Sequence, residues 1–114
     1  MNRRRKSEAQ RFEELKRQVA DVPPIRRGSV VQRFMPCGKP GCRCQAEPPQ
    51  LHGPYYQWTR KVNGKTATTR INKEQARLLR KWIENGRRLD KLVKQMEEVS
   101  LRLTDKLLRA TRGP

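Results

Sequence analysis

Apolar residues recur through SEAQRFEELKRQVADV at Phe12, Leu15, Val19 and Val22, the spacing of one helical stripe. Ser7 with Gln10 three residues on forms a capping-box start. Pro23-Pro24 close the segment, because proline disfavours helix for the residue before it. The pattern predicts an N-terminal helix within residues 7–24, too short to stand without a packing partner. The period then changes. SVVQRFM, residues 29–35, is β-branched and aromatic and predicts a strand. YYQWTRKV-NG-KTATTRI predicts a hairpin, since Asn63-Gly64 suits a two-residue type I′ turn in which both residues take positive φ. Such a turn sets Val62 opposite Lys65, Arg60 opposite Ala67, Trp58 opposite Thr69 and Tyr56 opposite Ile71. Alternation then gives a core face of Tyr56, Trp58, Val62, Ala67 and Ile71. The wet face carries Tyr55, Gln57, Thr59, Lys61, Thr66, Thr68 and Arg70. A hairpin alone is marginal, so the 29–35 strand is expected to complete a three-stranded antiparallel sheet.

From Asn72, a good N-cap, helical spacing returns and runs to about residue 111. Leu78, Trp82, Leu89, Leu92, Val93, Met96, Val99, Leu103 and Leu107 form one stripe, widened by Leu79 and Ile83 in the first half only. The first half is therefore expected to dock on the sheet. The narrow seam of the second half suits a coiled coil. Glu84–Arg88, Asp90–Lys94, Glu98–Arg102 and Asp105–Arg109 have favourable i,i+4 order. Gly86 interrupts the helix, yet the stripe keeps its phase across it, which predicts one continuous or kinked helix over two.

The fold class read from these periods is α+β: an N-terminal helix, a small three-stranded antiparallel sheet with a cysteine-rich loop, and a long C-terminal helix. The expected organisation is a basic arm at 1–6, a helix at 7–24, a β domain with the first half of the long helix at 25–86, and a basic helix at 87–114. Only 33% of the 114 residues are apolar, so the core is thin and a metal or a partner chain would help it.

Charge changes the picture most. The net charge is +17, and it is spread evenly: +6 over residues 1–33, +5 over 34–71 and +6 over 72–114. Basic charge in every segment calls for a polyanion, with DNA or RNA the leading one and a polybasic membrane contact or a solvated surface the bland alternatives. No apolar run approaches the roughly 20 residues of a membrane span. The N-terminus lacks the apolar core of a secretory signal, and three cysteines fit a disulfide framework poorly; a reducing cytoplasm is the expected setting.

Between the strand and the hairpin lies CGKPGCRCQAEPPQLHGPYYQW, which holds every cysteine and the only histidine. Cys37, Cys42, Cys44 and His52 fall in the spacing C-x4-C-x-C-x7-H. Three thiols and an imidazole are a zinc ligand set, and the intervening glycines and prolines permit tight turns. Lys39 and Arg43 would offset the −1 charge of three thiolates around Zn2+. Reduced structural cysteines, or a disulfide with a spare thiol, are the other readings, and His52 is the least secure ligand. A catalytic zinc fits poorly: His52 is followed by Gly53-Pro54 rather than a glutamate, and four protein ligands leave no water position. Phosphate-cradling glycine loops and acid–base pairs do not stand out, so no enzyme is expected.

CGKPGCRC, HGPYYQWTRKVNGKTATTRI and the RKWIENGRRL helix together resemble a family of small uncharacterised prokaryotic and phage proteins. Its pattern is CGKxxCxC, HGPYY and a GK hairpin before a long helix. The resemblance spans roughly residues 25–110 and implies an association with transposases and other mobile elements, with no established activity. It strengthens the nucleic-acid expectation. Candidate contacts are Arg3, Arg4, Arg5 and Lys6 in the arm, Lys39 and Arg43 on the metal turn, and Lys61 and Arg70 on the wet sheet face, with Tyr55 able to stack on a base. On the long helix Lys73, Arg77, Arg80, Arg87, Lys91 and Lys94 form a stripe opposite the apolar seam; an ordinary solvated face is its bland reading. The expectation is a non-catalytic, zinc-stabilised nucleic-acid-binding protein. The alternative is an adaptor that dimerises or docks on a partner enzyme through the seam at Leu89, Met96, Val99 and Leu103.

Overall fold

The structure is a computed structural model and describes residues 6–111. Its elements run α1 (Glu8–Ala20), β1 (Ser29–Met35), a 3-10 turn (Arg43–Gln45), β2 (His52–Val62), β3 (Lys65–Ile71) and α2 (Lys73–Ala110). The three strands form one antiparallel sheet in the order β1-β2-β3, which is the α+β arrangement expected. Two compact units result, one of residues 1–24 and 85–114 and the other of residues 25–84. Among the described residues no helix is long and apolar enough to cross a membrane.

In the first unit, α1 starts at a capping box. The Ser7 hydroxyl accepts from the Gln10 amide, and the Gln10 side chain accepts from the Ser7 amide, so two orphan donors are satisfied. The helix ends at Ala20 with Asp21 as C-cap, just before the residue that Pro23 restricts. Leu15 is buried with Leu92 and Val99, and Phe12, Val19, Val22 and Met96 pack around them. α1 thus occupies the middle of the seam that α2 was expected to offer to another chain. Glu8 near one end of α1 takes Arg102 at 3.1 Å, and Pro24 beyond its other end accepts from the Asn85 amide at 3.0 Å, so the two helices run antiparallel. Arg102 therefore pairs with Glu8 across the helices rather than with Glu98 along its own. Past the reach of α1 the stripe is bare. Leu103 is 38% exposed and Leu107 61%. α2 passes through Gly86 unbroken, and that glycine is buried.

In the second unit the hairpin has the predicted register throughout, from Val62↔Lys65 to Tyr56↔Ile71. Asn63 and Gly64 have φ of 51° and 78°, the positive values the turn requires. β1 adds through Val30↔Trp58 and Gln32↔Tyr56, and the pairing is irregular between Arg33 and Met35 before Met35 meets His52. Two expectations change here. Val62 is 47% exposed instead of core, because β1 begins at Ser29↔Thr59 and leaves the turn end of the hairpin uncovered. Leu78 is likewise 47% exposed, and the buried residues of this half of α2 are Ala76 and Ile83. Asn72 caps α2 in a second capping box, its side chain accepting from the Gln75 amide at 2.8 Å. Trp58 is fixed by an N–H bond to the Arg27 carbonyl at 3.0 Å, and the guanidinium groups of Arg26 and Arg60 lie over its ring at 4.7 and 4.1 Å from the centroid.

Candidate metal centre and basic surface

The loop after β1 folds back on itself through turn chemistry. Gly41 takes a positive φ of 80°, the Cys42 amide donates to the Lys39 carbonyl, and Arg43–Gln45 form one 3-10 turn. That turn separates Cys42 from Cys44 by the sharp reversal their one-residue spacing demands. The Arg43 carbonyl accepts from the amides of both Ala46 and Gln50, which ties the turn to the returning chain.

His52 comes from a different element. It is the first residue of β2, and Gly53-Pro54, a turn by composition alone, lies within the strand. The pairing of Met35 with His52 beyond the irregular step extends β2 to this point. Gly53 is required there: its φ is 144°, and a Cβ would stand 2.8 Å from the Arg33 carbonyl oxygen and from the Phe34 ring. A side chain at 53 would push β2 off β1 and move the histidine with it.

The result is one cluster. The Sγ atoms of Cys37, Cys42 and Cys44 and a ring nitrogen of His52 lie within 4.8 Å of one another, and among the described residues no other group of this kind occurs. Cys37 and Cys44 approach to 3.5 Å, and Cys42 lies 3.2 Å from His52 Nε2. Cys44 is buried, and its sulfur accepts from the Cys37 amide at 3.3 Å. Gln45, which the sequence did not single out, donates from Nε2 to the Cys37 carbonyl at 2.9 Å and so holds the first ligand to the last turn.

The electrostatics split the thiols. The Cys44 amide, then the neighbouring Cys44 and Cys37 side chains and His52, lower the Cys42 thiol from 9.0 to about 6. For Cys44, donation from the Cys37 amide favours the thiolate, but burial and the two adjacent thiols outweigh it and the group is raised. The thiolate is favoured at Cys42 and opposed at the buried Cys44, and a cation among the four side chains would offset the cost of charge at both. The donor set, three sulfurs and an imidazole, is that of a closed tetrahedral metal site.

The candidate nucleic-acid contacts are not gathered in one place. Arg3, Arg4 and Arg5 lie outside the described residues. Lys6 is paired with Glu14 on α1. Lys39 and Arg43 are exposed on the metal turn. Lys61 donates to Thr66 across the hairpin at 2.8 Å. Arg87, Lys91 and Lys94 are exposed on the half of α2 that belongs to the first unit. The other five do converge within the second unit. The Arg70 guanidinium lies 3.9 Å from the Tyr55 ring centroid, and Lys73, Arg77 and Arg80 line the adjoining first turns of α2. Arg77 is paired with Glu74 at 3.0 Å. Tyr56, read from sequence as core only, has Arg80 5.7 Å from its ring. Arg60 was also missed, although its place two residues from Trp58 on the same strand puts both on one face.

A family described as a domain of unknown function, DUF6788, matches residues 3–81, which include the metal-ligand set and the whole sheet. No curated protein and no solved structure matches the chain.

Proposed function

The chain belongs to the DUF6788 family, whose description assigns no activity, and from its residues we propose a non-catalytic nucleic-acid-binding protein whose sheet domain is held by a structural zinc ion. Zinc is the ion the donors favour. Zn–S bonds of about 2.3 Å at tetrahedral angles set sulfurs roughly 3.8 Å apart, and the cluster's donors stand from 3.2 to 4.8 Å from each other. Cys37, Cys42, Cys44 and His52 would fill all four positions. Such an ion supplies folding free energy and no open coordination site for chemistry.

The observation that carries nucleic-acid binding is the charge of the second unit. Residues 25–84 hold 13 Lys and Arg against three Glu. A unit of that size with a net +10 repels itself unless a polyanion neutralises it. An accessory role in a mobile element or phage rests on the motif resemblance alone.

The test is the affinity for labelled DNA and RNA measured across a salt series. Phosphate contacts release counterions, so log K should fall linearly with log salt, with a slope of about −0.9 per contacted phosphate on duplex DNA. Replacing Arg77 and Arg80 together should flatten that slope. Affinity that ignores salt, or no binding below micromolar protein, contradicts the reading. A second reading, an interaction adaptor, is favoured by Leu101, Leu107 and Leu108 at the end of α2, which are 61%, 61% and 57% exposed. A dimer by sedimentation with no nucleic-acid affinity would support it instead.

A further inference from the structure

Two clefts of the second unit adjoin each other. One, of about 520 Å³, is lined by Tyr55 and Tyr56 of β2, by Arg70 at the end of β3 and by Lys73 at the start of α2. The other, of about 260 Å³, shares Tyr56 and Lys73 and adds Arg77 and Arg80 together with Glu74, the ion-pair partner from which a phosphate would draw Arg77. The shared pair makes them one track. Each tyrosine ring has a guanidinium at it, Arg70 at 3.9 Å from Tyr55 and Arg80 at 5.7 Å from Tyr56. Aromatic rings interleaved with cations are the composition of sites that stack bases while neutralising phosphates.

The shape narrows the ligand. Tyr55 and Tyr56 are consecutive on β2, so their rings leave opposite faces of the sheet. The track joining them turns round the end of β3, which is an edge strand. A duplex, with a persistence length of about 150 base pairs, cannot follow so tight a corner. An unpaired strand can, and only an unpaired base offers its face to a ring.

We infer that this track binds single-stranded nucleic acid, with a base stacked on Tyr55 and the adjoining phosphates on Lys73 and Arg77. The inference rests on the nucleic-acid reading above and specifies which form of nucleic acid the sheet domain takes. Arg70 holds the Tyr55 ring in place and adds charge beside it. Tyr56 and Arg80 continue the track on the other side of the corner. The 2′-hydroxyl is not needed for either contact, so unpaired DNA and RNA are both ligands.

Fluorescence anisotropy on the full chain tests this, with labelled 12-nucleotide oligo-dT and oligo-rU against a 12-base-pair DNA duplex, the ligands compared at each step of one salt series. Wild-type protein should bind the single strands more tightly. Tyr55→Ala should lose roughly 5- to 150-fold on them, the range of one base stack, and leave duplex binding within about twofold. Tyr55→Phe, which keeps the ring, should bind like wild type. Lys73→Ala should lower the single-strand salt slope by about 0.7, one phosphate's worth. Retained zinc in each variant, read by mass spectrometry, shows that the fold survives. Tighter duplex binding, equal losses on both ligands for Tyr55→Ala, or Tyr55→Phe failing like Tyr55→Ala would overturn the track while leaving nucleic-acid binding in place. Binding to neither ligand would overturn both.

Discussion

At the scale of single residues, the cluster turns on differences between chemically identical thiols. Cys42 receives the Cys44 amide and stands 3.2 Å from His52, whereas Cys44 is buried against Cys37. In metal-free protein this has a direct consequence for pH. The Cys42 thiol in the fold is lowered from 9.0 to about 6, so it is a thiolate at neutrality. Its contribution to the metal-free fold is fully present above the unfolded value near 9.0 and is lost as pH falls through about 6. The proposed zinc binding would move the same way, because acid competes with a metal for the same sulfurs. The thiolate is the nucleophile, so iodoacetamide at pH 7 should label Cys42 first and Cys44 last in chelated protein. Peptide mass spectrometry reads the order, and equal labelling of the three cysteines would remove the asymmetry from the account. That Cys37, Cys42, Cys44 and His52 would gather was legible in the sequence, because every cysteine and the only histidine fall within one short loop. The placement of His52 was not. Gly53-Pro54 reads as a turn by composition, and only the pairing with β1 shows that β2 already begins at the histidine.

At the scale of elements, the hairpin was legible to the residue because a two-residue turn leaves one register. The helices were legible only as faces. A periodic apolar stripe says that something covers it and is silent on what does. α1 covers Leu92, Met96 and Val99 within the chain itself, so the middle of the α2 seam is already in use. Capping explains why both helices start where they do, at Ser7 and Asn72, each with a glutamine three residues on. The packing of α1 on α2 yields a prediction about where stability lies. Leu15 is 5% exposed among Leu92 and Val99, while Leu101 is 61% exposed on the same helix as those two partners. Leu15→Ala should cost about 2–4 kcal/mol, the range for a cavity in a core that cannot fully collapse. Leu101→Ala should stay within about 0.5 kcal/mol. Urea unfolding followed by circular dichroism measures both. Equal effects would mean that α1 does not bury the seam.

At the scale of the whole molecule, two units draw their stability from different sources. The first has an apolar cluster of its own, centred on Leu15, Leu92 and Val99. In the second, the buried apolar residues are Cys44, Ala76 and Ile83, a small core for 60 residues. A metal tying the loop to β1 and β2 is what such a unit needs, and its excess of cations is then displayed on a rigid sheet. The proposed track depends on that frame: Arg70 stays over the Tyr55 ring only while β2 and β3 hold register. The central claim is therefore the metal centre, and its content in the purified chain is the most direct measurement. Native mass spectrometry of the full chain should show one zinc ion per molecule, and none in Cys42→Ser, whose second unit should also lose its cooperative unfolding. A wild-type chain that carries no metal after purification without chelators, yet unfolds as cooperatively as one supplied with zinc, would contradict the account.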